Sequence, residues 1–581
     1  MMETRRRFVS AIVLLAGVAT CLAAGQLPPA ASASRAVRGA PAGLPAPAAD
    51  SAEPVRQADL RRWLAVLASD EMGGRGNGTE FLVKAGDYLA AEAKAIGLEP
   101  GGENSTFFEN FQVVSARSAN RSTLTVEVNG QRRVFRHGEE VEFGPYVGGR
   151  RSFTLDQVEF VGYALQDPTI GHDDFDGKDL RGKAVAWLGG RGPAGSVLST
   201  IALNEYIRPG AAAAAGVPVV IGLSPSAIRA EAAGRTNTPR PRTSDADFTT
   251  VGPLDAAPPP PLEVAVLQAD AFYSFLLSAS GVSFADLKAR AEARAPLPAF
   301  TVQGAKLILT LEADYTVVRS SDSRNVVGVI RGSDPSLANS RLVLGAHYDH
   351  LVTGLNPRPL DGVGPRPSIA RVNDSIYNGA DDNGSGSVGL LAIAQAMLAG
   401  PRPRRTVEFV WFAGEERGRL GSQYHANRGP AADRIVAMLN LDMIGRNEND
   451  RPERSKTVNI IGSDRISTEL HNINEEANAR LPVPLTLDYE HNDVLNVRLH
   501  YFGSDHYTYA LKGIPVIFFN TGKHQDYHQV TDSAERIEYL KMAHVTRLAY
   551  ETAMRVANLD HSPVRDNRGV RAGKGRSGPI R

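Results

Sequence analysis

RLVLGAHYD, residues 341–349, is a short apolar run that ends on an imidazole and a carboxylate, His347 and Asp349. Such a run, bounded by polar residues, reads as a strand buried on both faces. Three more follow: TVEFVWFAG at 406–414, IVAMLNLD at 435–442 and IPVIFFN at 514–520. The helical pattern VGLLAIAQAML at 388–398, closed by Gly400 and Pro401, separates the first two. Strands alternating with helices predict an α/β fold, a mixed and mostly parallel sheet flanked by helices. An open sheet of this kind places its ligand crevice at the carboxyl ends of its strands.

Metal-binding side chains stand at or just beyond those ends. They are His347 in AHYDH, Asp382 in GADDNGSG, Glu416 beside Glu415 in AGEERG, Asp442 in NLDMIG and His528 in DYHQ. Taken singly each string is ordinary: HxD is common on surfaces, Glu-Glu is a solvated face and Asp-Asp-Asn-Gly is a turn. Their order and their shared position after strands set them apart. Zinc accepts imidazole nitrogen and carboxylate oxygen, and paired ions sit about 3.5–4 Å apart, a gap one carboxylate can bridge. Five ligands serve two Zn2+ if one is shared. Asp382 is the expected bridge, because Gly379, Gly384 and Gly386 around it let the backbone bring a short side chain between two ions. His347 with Asp442 would complete one site, and Glu416 with His528 the other. Three carboxylates against two divalent ions leave one positive charge, which favours deprotonation of a nearby water. Glu415 is not needed as a ligand and is expected to act as general base and then acid. Asp349 lies on the same side of an extended segment as His347 and is expected to accept its other ring N–H.

Other polar residues read as structural. Asp532 fits a helix cap better than a partner for His528, and His350, His491 and His500 read as packed histidines. His506, in GSDHYTY before the strand at 514–520, is kept as a substrate contact, and Arg446 as an ion-pair residue.

At 581 residues the chain predicts two domains with terminal extensions. Lys plus Arg and Asp plus Glu number 64 each, so no global charge draws the protein to nucleic acid or an anionic membrane. Arg5, Arg6 and Arg7 precede an apolar run from Phe8 to about Ala24 and a small-residue stretch ending at Ala33. Residues 1–33 therefore read as an export signal, giving a periplasmic or secreted protein without stable membrane insertion. The arginines resemble a twin-arginine signal. Lipid anchoring at Cys21 is disfavoured, because Thr20 precedes it where a smaller residue is expected. Cys21 is the sole cysteine, so cleavage after Ala33 leaves a chain with neither disulfides nor a thiol nucleophile.

Residues 34–54 are Ala- and Pro-rich and read as a disordered linker. Helical spacing of Leu60, Trp63, Leu64 and Leu67, then of Phe81, Ala85, Tyr88 and Leu89 before a stop at Gly97, opens a domain covering 55–129 and 296–560. Residues 130–295 change to β-like alternation and Pro-rich segments and read as an inserted β-rich module without any of the five ligands. Residues 561–581 are basic and read as a solvated, disordered tail.

AHYDH, NGADDNGSG, FAGEERGRLGS, NLDMIGR and DYHQVTD together resemble the zinc-dependent aminopeptidase family of co-catalytic two-zinc exopeptidases, which also holds glutamate carboxypeptidases, glutaminyl cyclases and transferrin receptors. GSDHYTYALKGIPVIFF, SDEMGGRGNGT and AIGLEPGG support the likeness. The resemblance implies a phosphorylase/hydrolase-like fold, a peptide substrate, the same five ligands, bridging Asp382, Glu415 as base and Asp349 behind His347. It also implies that DFDGKDLRGKAV with GVPVVIG belongs to a protease-associated domain. Hydrolysis of N-terminal residues leads; carboxypeptidase, glutaminyl cyclase and a non-catalytic binding protein on the same fold stay open.

Overall fold

The computed structural model describes residues 53–566, apart from 168–169, 199–201, 233–244, 338, 352–373, 428–433, 494–495 and 497–499. The stretch read as an export signal, nearly all of the expected linker and most of the basic tail lie outside the described residues. No helix among those described is long and apolar enough to cross a membrane.

Two helices come first, α1 (Gln57–Leu67) and α2 (Glu80–Ile96). The first buries Leu60, Trp63, Leu64 and Leu67, as their spacing predicts. The second is turned from the expected face: Leu82, Ala85, Leu89 and Ala93 are buried, while Phe81 and Tyr88 are half-buried. Thr79 caps its start by accepting from the Leu82 N–H, and Gly97 ends it at φ 106°.

A ten-stranded mixed sheet follows. Its strands are β1 (Phe108–Asn120), β2 (Asp245–Val251), β3 (Ala313–Ile330), β4 (Arg341–His347), β5 (Thr406–Phe412), β6 (Ile435–Leu441), β7 (Thr457–Ile461), β8 (Thr486–Asp488) and β9 (Val516–Asn520), with Glu99–Pro100 pairing β3. The order is β2-β1-β3-β5-β4-β6-β9-β7-β8. The centre, β5-β4-β6-β9, is parallel throughout. Pairs β2·β1, β1·β3 and β3·β5 on one side and β9·β7 on the other are antiparallel.

Successive residues on the central strands serve different layers. Leu342, Leu344, Phe409, Trp411, Leu439 and Phe519 join the core beneath α1, α2, α3 (Gly386–Ala399) and α7 (Tyr539–Asn558). Val343, Val410, Phe412, Met438 and Phe518 join the other, which includes Ala426 of α4 (Leu420–Asn427) and Tyr507 and Tyr509 of α6 (His506–Ala510). Helix α5 (Thr468–Ala479) adds to the first layer through Leu470 and Ala477. Burial on both faces is why these strands read as unbroken apolar runs.

A separate core lies between a four-stranded antiparallel sheet and a six-stranded sheet. Thr123–Val128 pairs Ala305–Leu311, so this module reaches past 130 and 295 on both sides. Within its span, β2 returns to the edge of the main sheet against β1.

Candidate active site

All five sequence-derived ligands meet at the carboxyl ends of the central parallel strands. His347 is the last residue of β4, Glu415 and Glu416 follow β5, Asp442 follows β6, and His528 lies in the loop after β9. Asp382 sits in the turn before α3. That turn is held against β6 by Asn383, whose side-chain amide donates to Leu441 O at 2.9 Å and whose oxygen accepts from Gly386 N at 2.9 Å. Residue 386 must be glycine: a Cβ there would lie 2.2 Å from Leu441 O.

His347 Nε2 lies 3.4 Å from Asp382 Oδ1 and 3.5 Å from Asp442 Oδ1. The other Asp382 oxygen, Oδ2, lies 3.0 Å from His528 Nε2, which is 3.3 Å from Glu416 Oε2. Ligand atoms about 2 Å from a common tetrahedral centre are about 3.3 Å apart. His347, Asp382 and Asp442 thus form one group, and Asp382, Glu416 and His528 another, joined also by His350. The donor set and its spacing fit a divalent cation in each. His347 Nδ1 is 3.1 Å from the Asp349 carbonyl oxygen, so the ring's proton sits on Nδ1 and Nε2 is free to ligate. The expected partner was the Asp349 carboxylate; it is 3.7 Å away and instead accepts the Glu415 N–H at 3.1 Å. The extended backbone after β4 turns the carbonyl, not the side chain, to the imidazole.

Electrostatics are those of a cluster that a cation satisfies. Burial lowers the His347 pKa, but Asp442, Asp349 and Asp382 outweigh it and hold it well above the imidazole range. Burial works against His528 too, yet Glu416 and Asp382 raise it to about 11. Burial pushes Asp382 and Glu416 up, and the neighbouring imidazoles overcome that and hold both below the usual carboxylate range. Glu415 goes the other way: loss of solvent, with Asp505, Glu416 and Asp442, pushes it well above the usual value against the pull of His347. A carboxyl that holds a proton more readily is suited to general-base work.

Several residues that brace the site were not read as functional from sequence. Fully buried Arg75 donates to Leu67 O, Tyr348 O, Asn378 O and Gly379 O at 2.5–3.0 Å, tying the turn after α1 to the segments bearing His347 and Asp382. Asp532, expected to cap a helix, accepts the backbone N–H groups of Asp381 and Asp382 at 3.0–3.1 Å. Ser504 donates to Asp442 Oδ2 at 2.7 Å. His350, expected to be merely packed, lies 2.8 Å from Glu416 Oε1. The short strings GGR and VTD were the only local signals for Arg75 and Asp532.

His506, expected as a substrate contact, is fully buried, 2.8 Å from Tyr501 O and stacked on Phe518, and it does not line the cleft. Arg446 pairs with Asp450 and Asp526, as an ion-pair residue should. His500, read as structural, lines the cleft.

That cleft, about 570 Å³, is lined by Asp382, Glu415, Glu416 and Asp442 with His347 and His528, and by Met443, Phe518 and Tyr527. Lys523 also lines it, its ammonium 4.2 Å from the Tyr527 ring centroid.

Comparison with known proteins adds to this geometry. A probable leucine aminopeptidase of Trichophyton verrucosum (strain HKI 0517) is 31% identical over 239 residues, 39% of this chain and 57% of that protein. One of Arthroderma otae (strain ATCC MYA-4605 / CBS 113480) is 38% identical over 122 residues, 20% of this chain and 29% of that protein. The chain therefore spans at most a little over half the length of these two relatives. Among solved structures, the aminopeptidase from Aneurinibacillus sp. strain AM-1 superimposes with a TM-score of 0.41 at 18% identity, covering 91% of this chain and 97% of that one. Residues 325–553 match the sequence profile of peptidase family M28. That segment contains the five candidate ligands, His347, Asp382, Glu416, Asp442 and His528, and Glu415.

Proposed function

We propose that the chain is an exported aminopeptidase that removes N-terminal residues from peptides with two zinc ions bridged by Asp382. The observation that carries this reading is the cleft itself, where four carboxylates and two imidazoles converge beside an apolar wall. A carboxypeptidase needs a cation for a terminal carboxylate: Arg446 is engaged by Asp450 and Asp526, whereas Lys523, over the Tyr527 ring, lines the cleft and makes carboxypeptidase the second reading. Met443, Phe518 and Tyr527 suit an apolar side chain, in keeping with the leucine aminopeptidase names of the two fungal relatives.

His347 and Asp442 would hold one ion, Glu416 and His528 the other, and Asp382 both. When bound, the ions polarise the scissile carbonyl and lower the pKa of water. Glu415 takes a proton from the attacking water on its carboxylate and returns it to the leaving amine nitrogen. Asp349 fixes the backbone at Glu415, and its carbonyl fixes the His347 tautomer.

Residues 130–295 form the body of a protease-associated domain in this reading. Support comes from the strings DFDGKDLRGKAV and GVPVVIG and from the separate core between the module's two sheets. Export rests on the signal-like residues 1–33, and N-terminal sequencing of the protein outside the cytoplasm tests it. Activity is tested with the purified chain on aminoacyl and C-terminal reporter substrates, with and without a chelator. Chelator-sensitive release of the N-terminal residue is expected. Faster cleavage of N-blocked than of free peptides overturns the assignment.

A further inference from the structure

We propose that His350 is a positioning residue for the second cation, acting through Glu416 without touching ion or substrate. The proposal rests on the two-cation reading above. His350 Nδ1 lies 2.8 Å from Glu416 Oε1, while the opposite oxygen, Oε2, is the one 3.3 Å from His528 Nε2. An ionised carboxylate only accepts, so Nδ1 carries the proton and donates it. This bond fixes rotation about the Glu416 carboxyl and turns Oε2 toward His528 and Asp382.

The surroundings hold the imidazole in that pose. It is 2% exposed and absent from the cleft lining. Its ring lies against Gly379, at φ 55°, where a Cβ would come within 2.5 Å of His350 Cδ2. Its ring meets His528 edge-on, with centroids 5.6 Å apart and planes at 70°. His350 Nε2 is buried with no hydrogen-bond partner among the described residues. An orphaned buried nitrogen costs stability that an apolar side chain of similar size would not. What the histidine supplies in exchange is the Nδ1 donor.

The two halves of the cluster are braced differently. In one, His347 is fixed by the Asp349 carbonyl and Asp442 by Ser504. In the other, His528 Nδ1 has no hydrogen-bond partner among the described residues. The hydrogen bond from His350 to Glu416 is the bracing contact there. Loss of His350 should therefore weaken one ion and spare the other.

The test is calorimetric titration of metal-free protein with zinc, with native mass spectrometry to count ions and thermal melts of the metal-free variants to control for folding. Wild type should bind two ions. His350→Leu should keep one at wild-type affinity and bind the second about 10–100-fold more weakly. His350→Asn, whose amide N–H can replace Nδ1, should recover most of that loss. An unchanged second affinity in His350→Leu overturns the proposal, as does equal weakening of both ions. Failure of His350→Asn to recover binding also overturns it, in favour of direct ligation by His350. A wild-type chain that binds one ion overturns the two-cation reading, and this proposal with it.

Discussion

Asp349 Oδ1 accepts the backbone N–H of Glu415 at 3.1 Å, joining the end of β4 to the end of β5 across the floor of the site. The His347 imidazole donates to the Asp349 carbonyl, so in the proposed reaction the carboxylate's contribution is to place the base. Asp349→Asn keeps an acceptor oxygen and should retain most turnover. Asp349→Ala loses it and should lower kcat by about 10–100-fold with KM nearly unchanged. Equal kcat for the two variants, measured with one peptide substrate, would remove the positioning role.

Glu415→Gln removes the proposed proton acceptor but leaves the five candidate ligands. It should bind both ions as wild type does and lose kcat by about 10²–10⁴-fold, the usual contribution of a general base. Metal content by mass spectrometry alongside steady-state kinetics checks both halves. Turnover near wild type would show that the proton goes elsewhere.

How much of this was legible before the structure depends on the range of each contact. The convergence of His347, Glu416 and Asp442 could be read because each ends or follows a strand that announces itself by local hydrophobicity, and strand ends in a parallel sheet converge. Arg75 could not, because its partners at Asn378 and Gly379 lie 303 and 304 residues away and are backbone carbonyls, which carry no sequence signal. His350 was hidden by its neighbours: one residue after Asp349 and three after His347, it looked like packing until Glu416 was placed against it. His506 misled for the opposite reason. Its position before β9 suggested the cleft, but α6 turns its ring onto Phe518. The edges of the second module were blurred because Thr123–Val128 and Ala305–Leu311 alternate as any strand does, and only their pairing shows which sheet they join.

At Gly386 the Asp382 turn approaches β6 too closely for a side chain. Gly386→Ala would set a Cβ 2.2 Å from Leu441 O and 2.4 Å from Asn383 Oδ1, so the turn must move away from Asp442. Overpacking of this kind costs about 1–3 kcal/mol. Denaturant unfolding should show that loss, and zinc titration should show weakened binding of both proposed ions, since Asp382 belongs to both candidate groups. A stable variant with intact binding would mean that the turn can shift without the carboxylate.

Removing the cations should loosen the site and leave the second core alone. At free ion one hundred times Kd, each site adds about 2.7 kcal/mol to stability. Chelation should therefore lower Tm and speed amide exchange in residues 379–386 and 413–418. Amides of Thr123–Val128 and Ala305–Leu311 bond to each other within a separate core and should keep their protection. Exchange rising equally in both regions would mean that the module's core depends on the ions as well.

Lys541 gives the fold a pH dependence of its own. Its ammonium, on the buried side of α7, donates to Asn447 Oδ1 at 2.8 Å and Arg454 O at 3.0 Å. Burial lowers its pKa from 10.5 to about 8, against the pull of Glu538 and Asp381. Between those values the unfolded chain holds a proton that the folded chain has released, so this group makes stability rise with pH across that window. Below pH 8 both states are protonated and the desolvation cost is fully present, on the order of 3 kcal/mol. Urea unfolding from pH 7.5 to 10 should show a steeper rise in wild type than in Lys541→Met, which has nothing to titrate there. Parallel pH profiles for the two proteins would mean that the folded lysine keeps its proton through the whole range.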